Sequence, residues 1–61
     1  MMQEYRAYVI GLDGRIESRV DFLCSDDEAA KEKASQIVRN RDVELWQGER
    51  RIETFKVFIR H

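Results

Sequence analysis

The dipeptide Asp13-Gly14 constrains the fold of this chain more than any other feature, because it lies between two segments rich in β-forming residues. These segments are residues 4–12 and 15–23. An Asp-Gly pair in such a position is the strongest short-range signal for a β-hairpin, since a type I′ turn needs positive φ at both of its central residues. We therefore expect an antiparallel hairpin with a two-residue turn at Asp13-Gly14.

This turn also determines which side chains face each other across the hairpin. Side chains alternate between the two faces of a sheet. One face then carries mainly apolar or small residues: Tyr5, Ala7, Val9, Gly11, Ile16, Ser18, Val20 and Phe22. The other face pairs residues of complementary chemistry: Arg6 with Asp21, Tyr8 with Arg19, and Ile10 with Glu17. The apolar face predicts a sheet surface on which a helix can pack closely.

A helix is predicted directly after the hairpin. Ser25 and Glu28 match the capping box, with Ser25 as the N-cap and Glu28 three residues later. A narrow apolar stripe follows at helical spacing, formed by Ala30, Ala34, Ile37 and Val38. We expect Asn40 to end the helix in the left-handed conformation.

The segments on both sides of Gly48 predict a second hairpin. A two-residue turn beginning at Gly48 would place Glu44 opposite Glu53 and divide the apolar residues between the two faces. A three-residue loop ending at Gly48 instead pairs Glu44 with Arg50. It also gathers most apolar residues on one face: Val43, Leu45, Phe55, Val57 and Ile59. We favour the three-residue loop because local and global patterns then agree.

These elements predict one α+β domain over residues 1–61, with the order ββαββ. It has a four-stranded, mainly antiparallel sheet and one helix on one face of that sheet. The first strand is apolar on both faces, so we expect it to lie centrally, although the sequence leaves the full strand order open. The expected core on the helix side is Tyr5, Ala7, Val9, Ile16, Val20, Phe22, Ala30, Ala34, Ile37, Val43, Leu45, Phe55 and Val57.

One helix leaves the other face of a four-stranded sheet uncovered. The registers above place large apolar and basic side chains there, and we predict that they form an interface: Tyr8, Ile10, Leu12, Trp46, Ile52, Phe58, Arg19 and Arg50. Exposed apolar patches of this size usually bind a partner, and Trp, Tyr and Arg dominate protein interfaces. The alternatives are that these residues are scattered surface residues, or that the second register is wrong by one residue.

The length of the chain favours self-association. A chain of 61 residues buries only about 60% of its unfolded surface, and small domains often need an additional source of stability. Cys24 is the single cysteine and His61 the single histidine, so neither an internal disulfide nor a closed zinc site is expected. A homodimer is the remaining common solution, and we predict no cofactor.

No catalytic constellation is evident in the sequence. Gly11 and Gly14 lack the strand–loop–helix context and the third glycine of a dinucleotide site. Cys24 precedes a helix, which can activate a thiol, but a buried structural cysteine is the better interpretation. The acidic residues near the helix are explained by capping and turn chemistry. We therefore expect a non-enzymatic protein.

Two functions remain open for the uncovered face. The first is a protein-interaction module that self-associates, or binds another protein, through it. The alternative is a single-stranded nucleic-acid or small-ligand binder that uses its aromatic and basic side chains. Eleven basic and twelve acidic residues nearly balance, which argues against non-specific binding to nucleic acid or to an anionic membrane.

The sequence also indicates a cytoplasmic protein. No apolar run approaches the length of a membrane span, and the N-terminal residues lack the basic and apolar regions of a signal peptide. A single thiol is typical of a reducing compartment.

Two segments carry a resemblance: residues 5–16 (YRAYVIGLDGRI) and 42–52 (DVELWQGERRI). They resemble short uncharacterised proteins of alpha-proteobacteria, especially rhizobia, over nearly the whole chain. The resemblance implies a bacterial cytoplasmic protein, and it assigns no function to any residue.

Overall fold

The computed structural model describes residues 1–57 and has the element order ββαββ. Its elements are β1 (Gln3–Ile10), β2 (Ile16–Cys24), α1 (Asp27–Ser35), β3 (Asp42–Gln47) and β4 (Arg50–Phe55). The four strands form one sheet in the order β2-β1-β3-β4, and every neighbouring pair is antiparallel. The predicted fold class and the central position of β1 are confirmed. Residues 58–61 lie outside the described residues.

The first hairpin has a three-residue loop, so the predicted type I′ turn is wrong. The amide of Gly14 donates to the Gly11 carbonyl at 3.0 Å, and the amide of Gly11 donates to the Arg15 carbonyl at 2.6 Å. Gly14 has φ of +84°, whereas no non-glycine residue described has positive φ. A type I′ turn would force Asp13 into that conformation, and the longer loop needs it only at glycine.

A β-bulge in β2 compensates for the extra loop residue. Val9 pairs with Ser18 but Ile10 pairs with Ile16, which leaves Glu17 as the inserted residue. The predicted pairs from Tyr5 to Val9 are therefore confirmed, and the predicted pair of Ile10 with Glu17 is wrong. Ile16 was expected in the core. It now shares a face with Ile10, and 58% of it is exposed.

The helix begins one residue later than predicted. Asp26, not Ser25, is the N-cap: its backbone is extended, and its carboxylate accepts a hydrogen bond from the amide of Ala29 at 2.9 Å. Aspartate is as good an N-cap as serine. The helix ends at Ser35 and continues only as single turns up to Val38. Asn40 does not adopt the left-handed conformation predicted for it.

The second hairpin has a two-residue turn at residues 48–49, so the predicted three-residue loop is wrong. Gln47 pairs with Arg50 around Gly48, which has φ of +59°. The register shifts between Leu45 and Trp46, so that Ile52 is an inserted residue in β4. This second bulge removes the objection to the short turn, because it places Glu44 opposite Thr54 instead of opposite Glu53.

The core lies between α1 and one face of the sheet. The helix contributes two alanines, Ala30 and Ala34, which let its backbone approach the strands closely. Within residues 1–57, seven hydrophobic residues are buried: Tyr5, Ala7, Cys24, Ala30, Ala34, Val43 and Leu45. Of these, the largest fully buried side chains are Leu45 and Val43. The part of the core formed by the described residues is therefore small.

Candidate interaction surface

The sheet has a second face, opposite α1, which we call the helix-free face. Its members follow from the strand pairing, because residues directly opposite in an antiparallel pair face the same side. Arg6, Tyr8 and Ile10 alternate with the buried Tyr5 and Ala7 along β1. Glu4 alternates in the same way, and the partners on this face are Ile16, Arg19, Asp21 and Leu23 in β2, Asp42, Glu44 and Trp46 in β3, and Arg51 and Thr54 in β4.

Between residues 1 and 57, the aromatic residues of this face are Tyr8 and Trp46. In the ladder between β1 and β3, Trp46 lies opposite Arg6, and Tyr8 lies opposite Glu44. The indole nitrogen of Trp46 donates to Glu44 Oε1 at 3.1 Å, which orients the ring along its own strand. Both aromatic side chains are half-buried. They are thus held in place and still present part of their surface outward.

Charged groups of both signs surround the aromatic pair. Arg6 Nε lies 2.8 Å from Asp21 Oδ1, and Arg19 Nε lies 3.7 Å from the same oxygen. Arg6 also reaches the Tyr8 hydroxyl with its Nη1 at 3.5 Å, and the hydrogen bonds to Tyr8 and Asp21 raise the pKa of its guanidinium. More than half of the Arg19 and Asp21 side chains is exposed. This part of the face offers paired charges on a water-exposed edge strand.

The apolar part of the helix-free face is at the hairpin loop. Ile10 is half-buried beside Ile16, and 81% of Leu12 in the loop is exposed. The free energy falls when a partner removes exposed leucine and isoleucine side chains from water. The bulge at Glu17 creates this cluster, because it moves Ile16 from the expected core side to the outer face.

Three predicted interface residues have a different outcome. Ile52 packs against the core cluster, because the bulge in β4 turns it toward the helix side. Arg50 also lies on the helix side, where it binds Asp27. Phe58 lies outside the described residues. The remaining predicted members, Tyr8, Ile10, Trp46 and Arg19, belong to the helix-free face, and Leu12 lies in the adjoining loop.

The helix side has a polar cluster that sequence reasoning missed. The hydroxyl of Tyr5 donates to Asp27 Oδ1 at 2.9 Å, and both terminal nitrogens of Arg50 bind the same carboxylate at 3.1 and 3.2 Å. Hydrogen bonds from Arg50 and Tyr5 hold the pKa of Asp27 below its usual value. Burial and the bond to Asp27 raise the pKa of Tyr5.

This cluster continues through amide side chains to the start of the helix. Arg50 also donates to Gln47 Oε1, Gln47 donates to Gln3 at 2.8 Å, and Gln3 donates to the Ser25 carbonyl at 3.2 Å. The chain of contacts joins β1, β3, β4 and the residues before α1. Every member uses its polar groups on another member, so we assign the cluster a structural role: it fixes the helix to the sheet.

The described residues include a shallow depression and a free thiol but no cluster of metal-ligating side chains. Between residues 1 and 57, no three His, Cys, Asp or Glu side chains converge to hold a metal ion. A shallow depression of about 390 Å³ lies at the end of β1 and β2, lined by residues that include Arg6, Asp21 and Leu23. Cys24 is a free, buried thiol. In the same part of the chain, no helix is long and apolar enough to cross a bilayer.

Comparisons with models of protein families, with curated proteins and with solved structures found no match to this chain. The resemblance to short proteins of alpha-proteobacteria therefore stays a prediction. The function has to be inferred from the residues and their arrangement.

Proposed function

We propose that this protein is a non-enzymatic protein-interaction module that self-associates through the helix-free face of its sheet. The occupant of that face is a second copy of the chain. Three observations support the proposal: the small core, the residue types on the face, and the distribution of charge across it.

The small core is the observation that carries the proposal. Among the residues that the structure describes, Val43 and Leu45 are the largest fully buried side chains, and the two buried helical residues are alanines. At about 25 cal/mol for each Å² of apolar surface buried, such a core barely offsets the conformational entropy lost on folding. Burial of a further sheet face against a second copy supplies additional stabilisation, as it does in many small domains.

The residue types on the helix-free face support contact with protein. Tyr8, Trp46 and Arg6 belong to the three residue types that most often dominate interface energetics. Trp46 is already held by Glu44, so little of its side-chain entropy is lost when a partner covers it. The exposed Leu12 and Ile16 extend this surface with apolar area.

The charges on the face suit a self-complementary contact. In a two-fold dimer the same patch binds itself, so a surface of one sign would repel its copy. The helix-free face instead places Arg6 and Arg19 beside Asp21, and Trp46 beside Glu44. Each basic group of one copy can therefore approach an acidic group of the other.

Single-stranded nucleic acid is the competing occupant, because Tyr8 and Trp46 share the face with Arg6, Arg19 and Arg51. Stacking aromatics and arginines are the usual binding groups for single strands. Asp21, however, already neutralises Arg6. Titration with mixed oligonucleotides at low salt separates the two functions. Binding that weakens as the salt concentration rises supports nucleic acid as the occupant. A flat titration rules nucleic acid out.

A cytoplasmic location is part of the proposal. Its support is the free and buried thiol of Cys24, the single cysteine in the chain. Proteins of reducing compartments keep such thiols unpaired.

The single tryptophan reports directly on the proposed contact. Trp46 is the only indole in the chain and lies on the helix-free face, so its fluorescence maximum should move to longer wavelength when a concentrated sample is diluted and the copies separate. The dilution series is run beside a measurement of mass. A maximum that moves together with the mass supports the proposal.

Two results would count against this assignment. A fluorescence maximum that stays constant while the mass falls would place the self-association away from Trp46. A mass of one chain at every concentration would remove the self-association itself. The variant Trp46→Phe, studied by mass alone, shows whether the indole is needed or only an aromatic ring.

A further inference from the structure

The outer edge of the sheet offers a second contact for self-association. β2 is an edge strand of nine residues, and within residues 1–57 no other strand pairs with its outer side. Its backbone groups on that side are a template for another strand. Six of its nine residues are exposed, and none of these is a lysine or proline of the kind that commonly protects an edge.

We propose that β2 pairs antiparallel with β2 of a second copy, with a two-fold axis beside Val20, to form a continuous eight-stranded sheet. The inference rests on the proposed self-association but not on the helix-free face. The contact between the two β2 strands is distinct from the helix-free face.

The register follows from the sequence of β2 and from symmetry. A two-fold axis normal to the sheet pairs residues that face the same side, so the axis must pass beside a single residue and not between two. An axis beside Arg19 would place Arg19 opposite its own copy and Glu17 opposite Asp21. An axis beside Asp21 would place two aspartates together. An axis beside Val20 places Arg19 opposite Asp21 twice.

Only the axis beside Val20 pairs opposite charges on both sides of the centre within the regular part of β2. Val20 faces its own copy, and Ser18 faces Phe22. The residues from Ser18 onward pair regularly with β1, whereas the strand is bulged at Glu17. The contact therefore uses a straight part of the edge.

The observed side chains are ready for this pairing. Arg19 Nε lies 3.7 Å from Asp21 of its own chain, a loose contact, and both side chains are more than half exposed. Asp21 is held on its inner side by Arg6 at 2.8 Å. In the dimer it would lie between Arg6 of its own strand pair and Arg19 of the second copy, which gives alternating charge across the new strand boundary.

The other edge of the sheet is less suited to this role. β4 has six residues and is interrupted by the bulge at Ile52. A bulge bends an edge and interrupts its hydrogen-bonding pattern. β2 also has a bulge, at Glu17, but it pairs regularly over the seven residues from Ser18 to Cys24, which is longer than the whole of β4. It is therefore the edge we assign to self-pairing.

Cysteine cross-linking tests the register. In a Cys24→Ala background, Val20→Cys would place two thiols on directly opposed residues, whose Cα atoms lie about 4.5–5.5 Å apart in antiparallel pairs. This distance lies in the range that a disulfide spans. Ser18→Cys is the matched control, because the two copies of residue 18 would be about 13 Å apart along the strands.

The expected result is a covalent dimer from Val20→Cys under mild oxidation, formed at least tenfold faster than from Ser18→Cys. Position 18 is the more exposed of the two, so random collision would give the reverse order. A short bifunctional thiol reagent provides a second readout that does not depend on disulfide geometry. Equal rates, or faster reaction at position 18, with both reagents would overturn the inference.

The outcome is distinguishable from failure of the proposed function. Selective cross-linking at position 20, with a Trp46 fluorescence maximum that does not change on dilution, would support pairing through β2 and reject self-association through the helix-free face. A dilution-sensitive Trp46 without selective cross-linking would support the face and reject the edge. A protein that is monomeric at every concentration and shows no selective cross-linking would reject both.

Discussion

The hydroxyl of Tyr5 donates a hydrogen bond of 2.9 Å to Oδ1 of Asp27, and this contact joins the central strand to the first turn of the helix. Tyr5 is 2% exposed, and its ring stacks on Phe22 with 6.0 Å between centroids. The hydroxyl of Tyr5, whose ring lies in the core, thus attaches α1 to the sheet that it covers. The helix has only nine residues, too few to be stable alone in water, so such attachments matter for its position.

We expect Tyr5→Phe to lower the melting temperature by several degrees. The substitution keeps the ring and its stacking but removes the donor to Asp27, which leaves part of that carboxylate unsatisfied in a half-buried position. Thermal unfolding followed by circular dichroism measures the change. Tyr8→Phe is the matched control, since its hydroxyl makes only a long contact of 3.5 Å with Arg6 on the outer face, and it should leave the melting temperature nearly unchanged.

The polar cluster also predicts how stability depends on pH. The pKa of Asp27 is lowered by Arg50 and by Tyr5, so the folded state binds that proton less tightly than the unfolded state. Its contribution is fully present above the unfolded carboxyl pKa of about 3.9 and is lost as the pH falls through the lowered value. Asp42 acts in the same direction, because the amide of Val57 lowers the pKa of its carboxyl.

Denaturant titrations between pH 7 and pH 2 measure this effect. We expect the denaturant concentration at the unfolding midpoint to fall as the pH falls. The midpoint of Asp27→Asn should fall less steeply, because this variant has lost one of the two carboxylates whose pKa is lowered. An equal slope for wild type and variant would contradict the assigned role of Asp27. At alkaline pH the sign reverses for Tyr5: its pKa is raised, so its contribution holds below the unfolded pKa of about 10 and is lost above it.

The loop of the first hairpin predicts a difference between two substitutions of Gly14. The residue has φ of +84° and open space around it, so Gly14→Ala should cost about 1 kcal/mol through backbone strain alone. Gly14→Asn should cost less, because asparagine tolerates the left-handed conformation. Chemical unfolding of the three proteins measures the order, and equal stability of the alanine and asparagine variants would argue against the observed loop.

Leu45 should be the most sensitive position of the core. It is fully buried, and Leu→Ala in such a position typically costs about 2–5 kcal/mol. Because a small domain has little stability to lose, we expect Leu45→Ala to be largely unfolded at 37 °C by circular dichroism. Leu23→Ala is the matched control: Leu23 is 53% exposed, and its truncation should cost much less stability than that of Leu45. A folded Leu45→Ala would contradict the central place of this residue.

The sequence predicted the elements correctly because periodicity and turn residues are local signals. Alternation placed Tyr5, Val43 and Leu45 on the helix side, and the low charge of the first strand placed it centrally. Asp13-Gly14 located the first turn but not its type, since the same pair suits a two-residue turn and a three-residue loop that ends in glycine.

The two bulges could not be predicted from the sequence, and they decide the composition of the candidate surface. Glu17 and Ile52 are the inserted residues, and neither residue type marks a bulge in a sequence. The first bulge moves Ile16 outward, and the second moves Ile52 inward. Arg50 was likewise expected outside, because the predicted three-residue loop paired it with Glu44. The observed two-residue turn pairs it with Gln47 and so places it on the helix side, where it contacts Asp27, 23 positions away along the chain. Such contacts arise from tertiary packing and have no local signal.

The absolute mass in solution tests the central claim most directly. Size exclusion with light scattering would compare wild type, Trp46→Asp, and Gln36→Asp as a control that adds the same charge at an exposed position after the helix. We predict a wild-type mass above the 7.3 kDa of one chain, a mass reduced by half in Trp46→Asp, and no change in the control. A wild type that remains at 7.3 kDa, or a folded Trp46→Asp that keeps the wild-type mass, would contradict self-association through the helix-free face.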